Sequence, residues 1–317
     1  MTYRKFIHAI AAGVLAASLA ASAVAADGAA PGPGRGTSID DWKGLTVLKG
    51  GKGYVQAPLG QLHYRDVGPR NQMPLILLHQ SPMSMIQWAD VQNEFVAKGR
   101  RVITVDTPGN GLSDIPDHQP TIEEIADNLV ALLDHLKLKK VIMGGHHTGA
   151  QIATAFTARH PERVVALVLH GSAMFSDEEL ARRQANIGKG TGTGRLPKSD
   201  WSNFTNRRIF GTPGDTRQAL LDANTWLAVT SYLTGPDLGH YAAFYYRMKP
   251  DILKVKAPTL LLSDTGDEVH PIDMEVAKLR PDFKYVEFSN GNFMEFMTQP
   301  KKWVDIVDAW LKSTIKR

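Results

Sequence analysis

The 317-residue chain contains no cysteine. That single absence excludes disulfides, thiolate metal sites and a cysteine nucleophile together. A long run of one charge is missing as well. Lys+Arg 36 against Asp+Glu 32 leaves a formal charge of +4 with no basic tract, so nucleic acid is not an expected partner. Glycine (28) and proline (18) stand near average, which excludes collagenous and low-complexity chains. Histidine occurs 11 times, yet never in an H-x-x-x-H or H-E-x-x-H spacing, so no metal is expected. Long apolar runs are absent outside the N-terminus. What remains is 43% hydrophobic and 21% charged, an ordinary globular composition with ample material for a large core.

The N-terminal run is of a particular kind. Arg4 and Lys5 precede an apolar, Ala-rich stretch from Phe6 to Ala21, followed by Ala23-Val24-Ala25. A charged start, an apolar centre and a small-x-small end read as a secretory signal peptide over 1–25. The stretch is short and Ala-rich for a membrane anchor. Residues 26–50, rich in Gly, Pro and Ala, read as a flexible leader. A secreted or periplasmic protein is expected, with no stable membrane association once the signal is removed.

The rest alternates strand and helix patterns. Tyr54–Ala57 and Gln61–Val67 form a hairpin pattern around Gly60. Pro74–His79, Arg101–Asp106, Lys140–Gly144, Val164–His170, Thr259–Ser263 and Lys284–Phe288 read as strands, the most apolar of them buried on both faces. Between them lie helical spacings at Ile86–Ala97, Thr121–Leu136, Gly149–Arg159, Pro271–Leu279 and Pro300–Lys312, with Thr121 and Glu124 at capping-box positions. This alternation predicts an α/β fold, a mostly parallel doubly wound sheet with helices on both faces. The core is expected over 51–171 and 257–317. Over 172–256 the alternation stops, and an aromatic-rich helical stretch reads as a cap over the carboxyl ends of the strands.

The chemistry is expected at the strand-to-helix turn Gly145-His146-His147-Thr148-Gly149. Small residues flank a central one, as the close approach of strand and helix requires. The frame resembles the G-x-S-x-G nucleophile elbow of the α/β-hydrolase superfamily. His79-Gln80-Ser81-Pro82 is similar to that superfamily's oxyanion loop, and Asp106-Thr107-Pro108-Gly109-Asn110-Gly111-Leu112-Ser113 to its D-x-P-G-x-G-x-S loop. Ser263-Asp264-Thr265-Gly266-Asp267 resembles the loop that carries the triad acid, with Asp267 in its place. The combination of H-Q-x-P-x-S, D-T-P-G-x-G and G-H-H-T-G resembles one subgroup of the superfamily. The resemblance implies an α/β-hydrolase fold, and an oxyanion hole built from the backbone N–H groups of Gln80 and Thr148.

Two positions depart from the usual pattern. The nucleophile position holds His147, and the general-base position falls on Asn292 within Ser289-Asn290-Gly291-Asn292-Phe293. A serine mechanism needs a hydroxyl, a base and an acid, and only the acid is in place. A large residue at the elbow and a smaller one on the facing loop is a compensating exchange. His147 is therefore expected to be the base, with Asp267 orienting it directly or through the Asn292 amide. Free histidine titrates at about pH 6.5, suited to proton transfer near neutrality. Three readings follow. The first is cofactor-free hydrolysis of a small ester, lactone or diketone by activated water. The second is lyase, isomerase or decarboxylase chemistry needing a base without a nucleophile. The third is an inactive member that only binds its small-molecule ligand. Oligomeric state stays open. Around the site, Ser81 and His79 join Gln80 and Thr148 as substrate-binding or oxyanion residues, Ser81 reading as a turn serine in preference to a displaced nucleophile and His79 as an organiser of the oxyanion loop, while His146 reads as a structural hydrogen-bonding group. His240 and His270 read as packing or surface residues, and Glu295 as a possible entrant to the site.

Overall fold

The computed structural model describes residues 50–186, 238–292 and 294–315, with the side chains of 290–292 outside that description. The expected signal peptide and leader, and the centre of the expected cap with Trp201, Phe204, Phe210, Trp226 and Tyr232, lie outside the described residues. Eight strands form one sheet: β1 Lys52–Ala57, β2 Gly60–Val67, β3 Leu75–Leu78, β4 Val102–Val105, β5 Val141–His146, β6 Val164–His170, β7 Thr259–Gly266 and β8 Lys284–Asn292. Their spatial order is β1-β2-β4-β3-β5-β6-β7-β8. The β1–β2 and β2–β4 pairs are antiparallel, and every other pair is parallel. This is the doubly wound, mostly parallel sheet that the alternation predicts.

The central strands show why the apolar runs are continuous. Successive side chains of a strand point to opposite faces. Ile76, Leu78, Met143, Leu167 and Leu169 therefore enter one core, with the helices α2 Ile122–His135 and α3 Thr148–Arg159 against it. Leu75, Leu77, Ile142, Ala166 and Val168 enter the other, beneath α1 Ala89–Ala97 and the helix Pro300–Thr314. In the second core Trp88 and Trp303 pack at 5.6 Å between ring centroids, with Phe296 4.4 Å from Trp88. The Thr121 capping box forms: its hydroxyl accepts the Glu124 N–H, and Glu124 accepts the Thr121 N–H at 2.8 Å.

Three boundaries differ from the sequence reading. The Ile86–Ala97 helix begins as a 3₁₀ turn over Met85–Trp88, with Ser84 as its cap, before α1 proper. Strand β5 runs on to His146, so the elbow itself begins at the last strand residue. Strand β8 runs on to Asn292, which pairs with Gly266, so this position lies on a strand rather than in a loop after it.

The two described ends of the 172–256 insertion are helical and pack together. They are α4 Asp177–Asn186 and α5 Leu238–Tyr245, followed by α6 Met248–Ile252. Gln184 donates to the Phe244 carbonyl at 2.7 Å, and the Arg183 guanidinium lies 4.1 Å over the Phe175 ring. At the start of α5, Gly239 lies so close to the oxyanion loop that a Cβ there would fall 1.7 Å from Ser81 Oγ. Among the described residues no helix is long and apolar enough to cross a membrane.

Candidate active site

His147 caps α3 with φ 48 and ψ −112. A non-glycine residue at positive φ carries strain of about 1–3 kcal/mol and persists only when its surroundings fix it. Here they do. Its N–H is shared between the carbonyls of His170 and Gly171, both at 3.1 Å, and its carbonyl accepts the Gln151 N–H at 3.0 Å. The flanking glycines have no room for a side chain. A Cβ on Gly145 would fall 2.2 Å from the Gly149 carbonyl, and one on Gly149 would fall 2.2 Å from the Leu78 carbonyl oxygen. The small-x-x-x-small frame thus has the packing cause inferred from the sequence.

The imidazole reaches Asp267 directly. His147 Nε2 lies 2.6 Å from Asp267 Oδ2, with the His147 side chain 19% exposed and that of Asp267 1%. Asp267 is fixed from its own turn: Oδ1 accepts the Val269 N–H at 3.1 Å, and its N–H donates to the Asp264 carbonyl at 2.9 Å. A carboxylate only accepts, so the bridging hydrogen belongs to Nε2. In the neutral ring Nδ1 then carries the free lone pair. The Asn292 amide is not needed for this contact, and its side chain lies outside the described residues.

Gly171 makes the contact possible, and it is a residue the sequence reading missed. It follows β6 with φ +61, and a Cβ there would fall 2.5 Å from His147 Cδ2 and 2.9 Å from Nε2. Ala173, two residues on, is also at positive φ (50), and its carbonyl accepts the Gln151 side chain at 2.9 Å. The turn is held from below by Asp273, which accepts the Ser172 N–H at 2.7 Å and the hydroxyls of Ser172 and Ser263 at 2.5 and 2.8 Å. Burial holds the Asp273 carboxyl above the usual aspartate range, although those bonds pull the other way. Ser263 Oγ itself lies 3.0 Å from His270 Nδ1.

The oxyanion loop is preorganised. His79 Nε2 accepts the Thr107 N–H at 2.9 Å, so Nδ1 carries the hydrogen and donates it to the Gln80 carbonyl at 2.8 Å. Complete burial pushes the His79 imidazole below the usual histidine range, consistent with this neutral form. The Gln80 N–H donates to Gln87 Oε1 at 3.3 Å, a long bond that an oxyanion would have to replace. Thr148 is the first residue of α3, where helix geometry leaves the N–H without an intrahelical acceptor. Its hydroxyl accepts the Ser81 N–H at 3.4 Å.

The remaining candidates fall elsewhere. His146 is fully buried, its ring stacked on His147 with centroids 4.1 Å apart and planes 24° apart. His240 stacks on Phe244 in α5. His270 bonds Ser263, and its Nε2 lies 3.5 Å from Glu287. Glu295 does not enter the site: its carboxylate turns to the Gln299 amide and lies 3.7 Å from Lys302 Nζ. Among the described residues, donor atoms of His146, His147 and Asp267 come within 4.8 Å of one another. A metal must lie near the plane of each ring that binds it, about 2 Å from the nitrogen. Two stacked, nearly parallel rings do not offer one ion a point in the plane of both.

Two outcomes follow. Gly171→Ala should push the imidazole off Asp267 and lower turnover on the order of 100-fold, the cost of misplacing a catalytic group; an unchanged rate shows that this close approach is dispensable. For Asp273, the raised pKa means that the neutral form stabilises the fold below about pH 4 and that this contribution is lost as pH rises through the folded value. Asp273→Asn should therefore gain stability relative to wild type as pH rises above about 4, in parallel urea denaturation. A pH-independent difference contradicts the assignment.

Residues 73–300 match the alpha/beta hydrolase fold family. A proline iminopeptidase of Lactobacillus helveticus (strain DPC 4571) is 29% identical over 280 residues, spanning 79% of this chain and 94% of that protein. Among solved structures, the enol-lactonase from Burkholderia xenovorans LB400 aligns with a TM-score of 0.65 at 22% identity, over 82% of this chain and 99% of that one. A carboxylesterase from Bacillus subtilis aligns with a TM-score of 0.67 at 20% identity, over 87% and 96%. At such identities the structural likeness speaks for the fold alone. With the sheet order, the strained elbow and the acid-bearing turn after β7 all in place, the chain belongs to the alpha/beta hydrolase fold family.

Proposed function

We propose that the protein is an exported, cofactor-free hydrolase of a small ester, lactone or diketone, with His147 as its general base. The observation that carries this reading is the 2.6 Å bond between His147 Nε2 and Asp267 Oδ2. It leaves Nδ1 as the proton acceptor, on the nitrogen opposite to the one used in a serine triad, where the acid binds Nδ1 and Nε2 takes the proton. Nδ1 lies two bonds from Cβ, one bond further out than a serine oxygen would. A water between this nitrogen and the substrate carbonyl is the natural nucleophile. Nδ1 takes a proton as the water oxygen adds to the carbonyl carbon. The carbonyl electrons move onto oxygen, facing the Gln80 and Thr148 amides. Collapse expels the leaving group, which takes the proton back from Nδ1. Asp267 holds the imidazolium throughout without being protonated.

The names of similar proteins, an iminopeptidase, an enol-lactonase and a carboxylesterase, all describe acyl-transfer chemistry and agree with this choice. Export rests on the N-terminal segment, and a periplasmic or extracellular site of action follows from it. The 172–256 insertion acts as the cap, since the start of α5 lies against Ser81 in the oxyanion loop. One observation favours a second reading: the nucleophile position of the elbow holds no hydroxyl, so a lyase or isomerase that needs only a base and an oxyanion hole uses the same residues. Water oxygen separates the two.

The test is a screen of activated esters, lactones and β-diketones in ¹⁸O-water, with wild type beside His147→Gln. Hydrolysis incorporates ¹⁸O into the product, and loss of the base lowers kcat about 10²- to 10⁴-fold. Turnover of the same substrate at the wild-type rate by His147→Gln contradicts the reading, and conversion without ¹⁸O moves it to the second.

A further inference from the structure

A second histidine–carboxylate pair lies beside the first, deeper in the protein. His170 ends β6, Asp264 lies three residues before Asp267 on β7, and both are fully buried. His170 Nε2 is 3.2 Å from Asp264 Oδ2. The Trp303 indole N–H donates to His170 Nδ1 at 3.0 Å. An indole can only donate, so Nδ1 is bare and the ring hydrogen sits on Nε2, which lies near Asp264 Oδ2 but is not aligned for a hydrogen bond to it. Trp303 thereby favours the neutral ring. Asp264 Oδ2 also accepts the Glu295 N–H at 3.0 Å, while Oδ1 has no hydrogen-bond partner among the described residues.

This is a costly arrangement. His170 is surrounded by Phe288, Phe296 and Trp303, with ring centroids 5.4 to 6.3 Å away. A buried carboxylate with so few donors is less stable than apolar packing of the same volume. Packing does not account for it, but its position relative to the site does. The His146 ring stands edge-on to His170 at 5.2 Å and is stacked on His147 at 4.1 Å. The two acids share one turn, and the three imidazoles follow one another from the buried pair to the exposed one.

We propose that the Asp264–His170 pair is a positioning pair which, through the interposed His146 ring, raises the proton affinity of His147; the inference rests on the reading of His147 as the base. A buried negative charge in a low-dielectric region favours a positive charge placed nearby. The imidazolium formed during turnover is such a charge. The other ionisable groups around it are accounted for. Asp267 bonds the ring directly, and Gly171, just after β6, lies against it. Asp273 is engaged by Ser172 and Ser263, Glu295 by Gln299 and Lys302, and His270 stands between Ser263 and Glu287.

The experiment is an NMR titration of the imidazole Cε1–H signals in the full chain, with His147 assigned by its loss in His147→Gln. Asp264→Asn should lower the His147 midpoint by ~0.5 unit or more. The acid limb of kcat/KM should move down with it, because the base acts unprotonated. His170→Gln keeps an acceptor for Trp303 and a donor for Asp264, so it should retain the wild-type midpoint. His170→Leu takes away the polar group facing Asp264 and should shift it downward. An unmoved midpoint in folded Asp264→Asn overturns the proposal, as does a merely reduced rate with the limb in place. Should Asp264→Asn fail to fold, equal midpoints for the Gln and Leu variants overturn it. The midpoint is read on the ring itself, so turnover retained by His147→Gln would end the base reading without producing any of these results.

Discussion

The bond from His147 Nε2 to Asp267 Oδ2 is the interaction around which the carboxyl end of this sheet is arranged. A side chain at the elbow can meet an acid from β7 only by crossing the end of β6. The chain meets that requirement with a glycine, Gly171, at the crossing point. It also holds two residues at positive φ, His147 and Ala173, one on either side of the crossing. Gln151 joins them, its N–H bonding the His147 carbonyl and its side chain the Ala173 carbonyl. Such strain is maintained by the buried Asp273 beneath the turn.

The orientation of the ring follows from covalent geometry. Seen from the elbow backbone, Nε2 is the far nitrogen and the one able to span β6. On the proposed reading Nδ1 is the proton acceptor and the nucleophile is a water, in keeping with function residing in the site rather than the fold.

Much of this was legible in the sequence, for physical reasons that also mark where legibility ends. Leu75–Leu78 and Val164–His170 read as central strands because a strand buried on both faces must be apolar at successive positions. The pairing of His147 with Asp267 was legible because the elbow glycines and the turn after β7 are local features with local signatures. Gly171 was not, since nothing next to it in the chain demands a missing Cβ; the demand comes from a ring 24 residues earlier. In the sequence His170 closes a strand and Asp264 stands in the acid-bearing loop, and only the assembled core shows them excluded from water. Asn292 was placed in a loop after a strand ending at Phe288, yet pairing with β7 carries the strand through it. Glu295 was drawn away from the site by Gln299 and Lys302 on the helix that follows.

The direct test of the whole account is the tautomer of His147, read from the ¹⁵N chemical shifts of its ring near pH 8 in selectively labelled protein. A hydrogen resident on Nε2 with Nδ1 unprotonated is the result expected from the Asp267 contact. A hydrogen on Nδ1, with Nε2 bare against Asp267, would mean that the acid does not orient the ring and that the base has been assigned to the wrong nitrogen.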